Sequence, residues 1–284
     1  MKMKKLFFRA LIGIVLCYTG ILGYMYFNQR SFQYLPELDT TAFEQHRLLD
    51  TEEVFLTTTD GVKIQTWYHP PKQDKPVALF FHGNSGTLAA RIDKLQVLSN
   101  MGYGFIIPAW RGFGKSTGSP TEEGLYNDAR AAIAFAKSRG HDTSEIVLIG
   151  ESLGTGVATN MATEYQFKGV LLITPYTSLC DVGMDTYPYL PVRPLLKDKF
   201  YSIDNIDKIK APLCIIHGDN DDIISHHHSL KLFDKAKGKK KLIIYPGVGH
   251  SNYDINVVLA EMERFFSGER ESVEESVKYA ADKN

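Results

Sequence analysis

Cysteine is scarce in this sequence and badly spaced for a framework. Only Cys17, Cys180 and Cys214 occur, with no CxxC pair, which argues against both a disulfide scaffold and a cysteine metal site. Cys214 sits in an apolar run and reads as a small buried hydrophobe. Charge excess is missing too. Lys and Arg number 32 against 33 Asp and Glu, and no basic stripe interleaves with aromatics, so nucleic acid is not an expected partner. A GxxxxGK[ST] spacing is also lacking. The glycine-rich run Trp110-Arg111-Gly112-Phe113-Gly114-Lys115-Ser116 therefore reads as a structural loop beside a site rather than a phosphate cradle. Finally, no A-x-A-like site follows the apolar N-terminal run, and bulky Leu16 precedes Cys17 where a lipobox needs a small residue.

What is present begins with that run. Lys2, Lys4, Lys5 and Arg9 precede the uncharged stretch Ala10–Phe27, close to the roughly 20 residues a helix needs to span a bilayer. Tyr24, Tyr26 and Phe27 suit an interfacial aromatic belt with Arg30 beyond it, and the basic N-terminal flank favours an N-in orientation. The expectation is a membrane anchor over residues 1–30 and a juxtamembrane connector over 31–52. The following 53–268 form one catalytic unit on the non-cytoplasmic side, and 269–284 a charged tail. Secretion after signal cleavage is the alternative. With 284 residues and 44% hydrophobic composition, one large α/β core is expected.

From residue 53 the pattern is strand-like. Val54–Gly61 and Lys63–Pro70 read as two strands joined at Asp60-Gly61. Buried strands follow at Val77–Phe81, Tyr103–Ala109, Ile146–Ile149, Gly169–Thr174, Leu213–His217 and Lys241–Tyr245. Helices are expected at Leu88–Asn100, at Thr121–Gly140 with Thr121 as N-cap, after Ser152, and at Val257–Phe266. Such alternation predicts a mostly parallel sheet covered by helices. Regularity lapses from about 179 to 210, where Tyr187, Tyr189, Leu190 and three prolines suggest a short lid with apolar surface for an acyl chain; a plain connecting loop is the other reading.

The chemistry centres on Gly150-Glu151-Ser152-Leu153-Gly154, a G-x-S-x-G string between a buried strand and a small-residue helix start. Such a turn holds the serine at strained angles that bulky neighbours would obstruct. A base and an acid are then needed. His250, bracketed by glycines after the last strand, is placed to reach back over the sheet. Asp221 is preferred as the acid over Asp219 and Asp222, which read as solvated or turn-capping neighbours. The strand-end His82-Gly83-Asn84 and the residue after the serine are expected to supply the oxyanion hole from the N–H groups of Asn84 and Leu153. A tight turn with a packing His82 is the simpler alternative. His226-His227-His228 invites a metal reading, but three adjacent histidines on a helix are expected to point in three directions, so a surface helix start is preferred.

Six motifs in order, HGNSG, RGFGKSTG, GESLGTG, PYTSL, HGDNDDII and GVGHSNY, resemble the α/β-hydrolase superfamily over about 53–266. They are most similar to its membrane-anchored serine hydrolases: bacterial α/β hydrolases, bud-emergence homologues, depalmitoylases, and monoacylglycerol or lysophospholipid lipases. The resemblance implies the α/β-hydrolase fold and ester or thioester hydrolysis through an acyl-enzyme, without metal or organic cofactor. It assigns nucleophile Ser152, acid Asp221, base His250 and oxyanion residue Asn84. Some relatives act on peptides, so an aminopeptidase or amidase is the alternative; Glu151, Asp181 and Asp185 are then the candidates to hold a free amine. A catalytically silent, membrane-tethered binding module is the alternative outside enzymes.

Overall fold

The computed structural model describes residues 2–43 and 50–268; the expected charged tail at 269–284 lies outside them. The first helix, α1 (Lys2–Gln33), is one unbroken 32-residue rod. It is long and apolar enough to cross a membrane, and no residue of its apolar window is buried. After it, Tyr34 turns into the protein core, and Leu35–Pro36 pair in parallel with Ser85–Gly86.

The central sheet has eight strands: β1 (Glu52–Thr57), β2 (Lys63–His69), β3 (Val77–Phe81), β4 (Gly104–Pro108), β5 (Ile146–Glu151), β6 (Gly169–Ile173), β7 (Leu213–Gly218) and β8 (Lys240–Tyr245). Their spatial order is β8-β7-β6-β5-β3-β4-β2-β1. Only the β1–β2 and β2–β4 pairings are antiparallel; the others are parallel. Strands β3 to β7 are buried at every residue, the pattern of a parallel sheet covered on both faces. The chain moves one way from β3 to β4 and the other way from β5 onward. The crevice beyond the C-terminal ends of β3 and β5 is thus the switch point where such sheets place their sites.

The covering helices are α2 (Ile92–Asn100), α3 (Glu122–Ser138), α4 (Leu153–Glu164), α7 (His227–Lys235) and α8 (Ile255–Ser267). Thr121 caps α3 as expected, its hydroxyl accepting from the Gly124 N–H. The helix expected over Leu88–Asn100 is divided into a 3₁₀ turn, Leu88–Arg91, and α2. The Arg91 guanidinium folds back onto the carbonyls of Ser85 and Thr87 and holds that turn against the preceding loop. The segment expected to form a lid, called the lid below, contains α5 (Leu179–Thr186), α6 (Val192–Leu195) and two 3₁₀ turns.

The lid and α1 are joined. Arg30 makes a two-pronged ion pair with buried Asp198 at 2.7 and 3.1 Å. The Gln29 amide oxygen accepts from the Lys197 N–H, and Tyr18 donates to the Tyr189 carbonyl. Between them Ile21, Met25 and Phe32 of α1 and Tyr187, Tyr189 and Leu190 of the lid line a cavity of about 150 Å³.

Candidate active site

Ser152 stands between β5 and α4 at φ 50° and ψ −118°, a backbone state that costs a non-glycine residue energy and persists only when its surroundings enforce it. The two glycines of the motif make the enforcement possible. A Cβ on Gly150 would lie 2.8 Å from both the Gly154 carbonyl and the Ala158 methyl, and one on Gly154 would drive into the carbonyl of Phe81. Close approach between the turn, its own helix and β3 therefore requires glycine at both places.

Loops after β7 and β8 bring two further groups to this turn. His250 Nε2 lies 3.0 Å from Ser152 Oγ, and His250 Nδ1 lies 2.7 Å from Asp221 Oδ2. A carboxylate only accepts, so Nδ1 carries the proton and Nε2 presents its lone pair to the serine hydroxyl. Asp221 Oδ1 accepts from the N–H groups of Ile223 and Ile224, both at 2.9 Å. Burial alone would push the Asp221 carboxyl up. The hydrogen bonds from His217, His250 and the Ile224 N–H outweigh it and hold the group well below the usual carboxylate range. Asp219 serves the loops instead. Its carboxylate accepts from the Gly247 N–H at 2.6 Å, tying the β7 loop to the histidine loop. Asp222 is exposed.

The structure adds three contributors that the sequence reading passed over. His217, the penultimate residue of β7, directs Nε2–H toward both Asp221 Oδ2 and the Ile224 carbonyl, at 3.1 and 2.8 Å. Ser229 holds its other ring nitrogen at 2.6 Å. An imidazole at a buried strand end four residues before Asp221 was the available signal. Lys94 on α2 is the second. It contacts Glu151 at 2.5 Å and the Tyr253 hydroxyl at 2.7 Å, while Tyr253 donates to Glu151 at 2.8 Å. Burial pushes the Glu151 carboxyl up, but Lys94 beside it keeps it below its ordinary range. This triangle links the residue before Ser152 to the loop carrying His250, and no spacing in the chain announces it. The third is the end of α1. Asn84 donates its side-chain amide to the Gln33 carbonyl and accepts from the Leu35 N–H, so the N-terminal segment braces the loop expected to hold the oxyanion.

That loop lies against the serine. A Cβ on Gly83 would stand 3.5 Å from Ser152 Cβ, which places Asn84 just beyond it. Leu153 opens α4, where a backbone N–H has no acceptor within the helix. His82 is buried, donates Nδ1–H to the Gly83 carbonyl, and is held far below its ordinary pKa by burial and then by Arg91. Its carbonyl accepts from the Trp110 indole, so the RGFG loop packs beside the site, and Arg111 of that loop pairs with Asp60 and Asp128. A cavity of about 310 Å³ near Val77 and Ile146 opens at the other end of the strands, away from Ser152.

One expectation is corrected. His227 and His228 do not point apart on the surface. Their rings stack with centroids 4.3 Å apart, His228 is buried, and both Nε2 atoms face Asp185. They lie in the first turn of α7, with no earlier helical turn to restrict where the rings swing.

Comparison with known proteins agrees with this fold. The family Hydrolase_4, described as serine aminopeptidase, S33, matches residues 72–198 and 199–253. An uncharacterized protein of Mycobacterium tuberculosis, Rv2307c, is 32% identical over 260 residues, covering 89% of this chain and 92% of its own. Lysophosphatidylserine lipase ABHD12 of Xenopus tropicalis is 31% identical over 235 residues, 76% of this chain and 60% of the lipase, so the chain spans under two thirds of that protein. The esterase Pf2001 of Pyrococcus furiosus shares the fold with a TM-score of 0.65 at 20% identity, covering 83% of this chain and 94% of its own.

Proposed function

This chain belongs to the Hydrolase_4 family of α/β hydrolases, and we propose that it is a membrane-anchored serine hydrolase cleaving carboxylic esters or thioesters of lipid-like acyl groups. The observation that carries the reading is the hydrogen-bonded line Ser152–His250–Asp221 ending at a strained serine. In this mechanism Ser152 Oγ bonds to the acyl carbonyl carbon while its proton passes to His250 Nε2. Asp221 keeps the imidazole in the required tautomer and stabilises the imidazolium. The N–H groups of Asn84 and Leu153 hold the oxyanion; one such donor is worth about 3 kcal/mol. Collapse expels the alcohol or thiol, which takes the proton from His250. Water then repeats the sequence on the acyl-enzyme and frees the carboxylic acid.

Lipid esters are favoured for two reasons. The curated relatives at about 31% identity include lysophosphatidylserine lipases, and the apolar cavity between α1 and the lid suits a chain rather than a peptide. Among the membrane-anchored groups that the motifs resemble, this points to the lipid hydrolases rather than to bud-emergence homologues or depalmitoylases. The family's description as serine aminopeptidase favours aminopeptidase activity, but a free amine needs an available carboxylate. Glu151 is engaged by Lys94 and Asp181 by Arg193 and Thr177, while Asp185 faces the Nε2 atoms of His227 and His228. The test is fluorophosphonate labelling of detergent-solubilised protein beside Ser152→Ala, then turnover of a panel of acyl esters, thioesters and aminoacyl amides. Labelling confined to wild type with turnover of acyl esters or thioesters is expected. A folded wild type without labelling defeats the hydrolase reading, and preference for aminoacyl amides defeats the ester reading.

A further inference from the structure

At the junction of the lid and α7, Asp185, His227 and His228 bring one donor atom each within 4.8 Å of one another. Asp185 Oδ2 stands 3.3 Å from His227 Nε2 and 3.2 Å from His228 Nε2. The stacked rings, inclined by 27°, turn two nitrogen edges toward one carboxylate.

The hydrogen bonds behind His228 determine what its edge presents. Thr177 Oγ1 lies 2.7 Å from Asp181 Oδ2, and since a carboxylate only accepts, the hydroxyl directs its single proton there. The same hydroxyl oxygen is 2.8 Å from His228 Nδ1, so the hydrogen of that contact belongs to Nδ1. The Thr177 backbone N–H approaches Nδ1 only at 3.4 Å and is the weaker contact. A neutral His228 therefore turns a bare lone pair from Nε2 onto an Asp185 oxygen, on a ring with 1% of its side chain exposed. Two lone pairs at 3.2 Å repel each other unless something positive lies between them. An outer hydrogen bond on the far ring nitrogen is also how metal-bound histidines are held in tautomer and orientation.

We infer that Asp185, His227 and His228 form a site for a divalent transition cation of the Zn²⁺ type. Two imidazoles and a carboxylate suit that class, whereas Ca²⁺ and Mg²⁺ prefer oxygen donors throughout. The Asp185 and His227 side chains are 52% and 38% exposed, which leaves a solvent face for the ion to arrive by and for water as a fourth ligand. Bound there, the ion cross-links lid helix α5 to α7, the helix that follows the Asp221 loop.

The test uses full-length, detergent-solubilised protein, stripped with chelator and titrated with ZnCl₂ by calorimetry and with Co²⁺ by visible absorption. One ion per chain, a raised thermal midpoint and Co²⁺ ligand-field bands are expected. Asp185→Asn and His227→Ala, both at exposed positions, each lower Zn²⁺ affinity about tenfold or more, while His250→Ala retains the site. Absence of stoichiometric binding by folded wild type overturns the inference and leaves a proton as the bridge. Affinity unchanged by both lid-site substitutions, or lost only in His250→Ala, overturns it as well.

Discussion

At Asp221 each carboxylate oxygen has a separate task. Oδ1 takes two backbone N–H groups and fixes the loop, while Oδ2 takes two imidazoles and sets the tautomer of His250. Asp221→Asn preserves the shape but offers an amide where the tautomer needs an acceptor. A fall in kcat of about 10⁴ is therefore expected, whereas Asp219→Asn, which loosens only the tie to Gly247, costs far less. Steady-state kinetics on the two variants decide it, and a larger loss for Asp219→Asn refutes the choice of acid. The same hydrogen bonds carry a pH signature. The folded Asp221 carboxyl sits below the unfolded value of about 3.9, so its stabilisation is complete above that value and is lost as pH falls through the folded value. The stability gap between wild type and Asp221→Asn should be flat from about pH 7 to 5 and shrink below about pH 4 in denaturant titrations. The hydrogen-bonded line Ser152–His250–Asp221 was legible because each residue sits at a fixed place after an apolar strand. His217 was not singled out, because a histidine inside an apolar strand reads as core until its partner's position is known.

Elements meet at the elbow through contacts that sequence spacing does not encode. Strand β5, helix α4 and the Phe81 end of β3 come so close that Gly150 and Gly154 have no room for a Cβ; the motif alone made that readable. Lys94 is different. It comes from α2, 57 residues before Glu151, and joins it to Tyr253 on the histidine loop. An amphipathic helix pattern shows a lysine as a surface residue, and only the packed structure turns it inward. Removing one partner of such a pair leaves a buried carboxylate uncompensated, at about 3–5 kcal/mol. Lys94→Met should therefore lower unfolding free energy by roughly that amount, and Lys94→Met/Glu151→Gln should recover most of it. A loss under about 1 kcal/mol in the single variant shows that the pair is solvent-screened instead. The stacked histidines of α7 failed the sequence reading for a related reason. Side-chain directions derived from mid-helix geometry do not hold in a first turn that has room on one side.

For the molecule as a whole, α1, the proposed anchor, also packs against the protein. At about 1.5 Å per residue its 32 residues reach about 48 Å, more than the roughly 30 Å of a hydrocarbon core. The remainder is used against the protein. Arg30 grips Asp198, whose Oδ1 also accepts from the Glu122 N–H at the start of α3. Gln33 and Leu35 brace Asn84. The helix thus touches the lid and the loop beside Ser152 with its second half, while its first half exposes Leu, Ile, Val and Phe side chains. With α1 as the proposed anchor, this attachment would present the lid to the bilayer surface and suit a substrate that arrives from the membrane. Deleting residues 1–17 keeps Tyr18, the cavity residues and the Arg30 pair but removes the first half of the rod. The truncated protein should leave the membrane fraction, keep fluorophosphonate labelling and short-chain ester turnover, and lose turnover of monoacyl lipids in vesicles by on the order of 10²-fold, the scale on which tethering raises effective concentration. If it still sediments with membranes, the anchor lies elsewhere. If it leaves the membrane yet hydrolyses vesicle lipids as fast as the full chain, the substrate reaches Ser152 through water, and the contact between α1 and the lid serves stability alone.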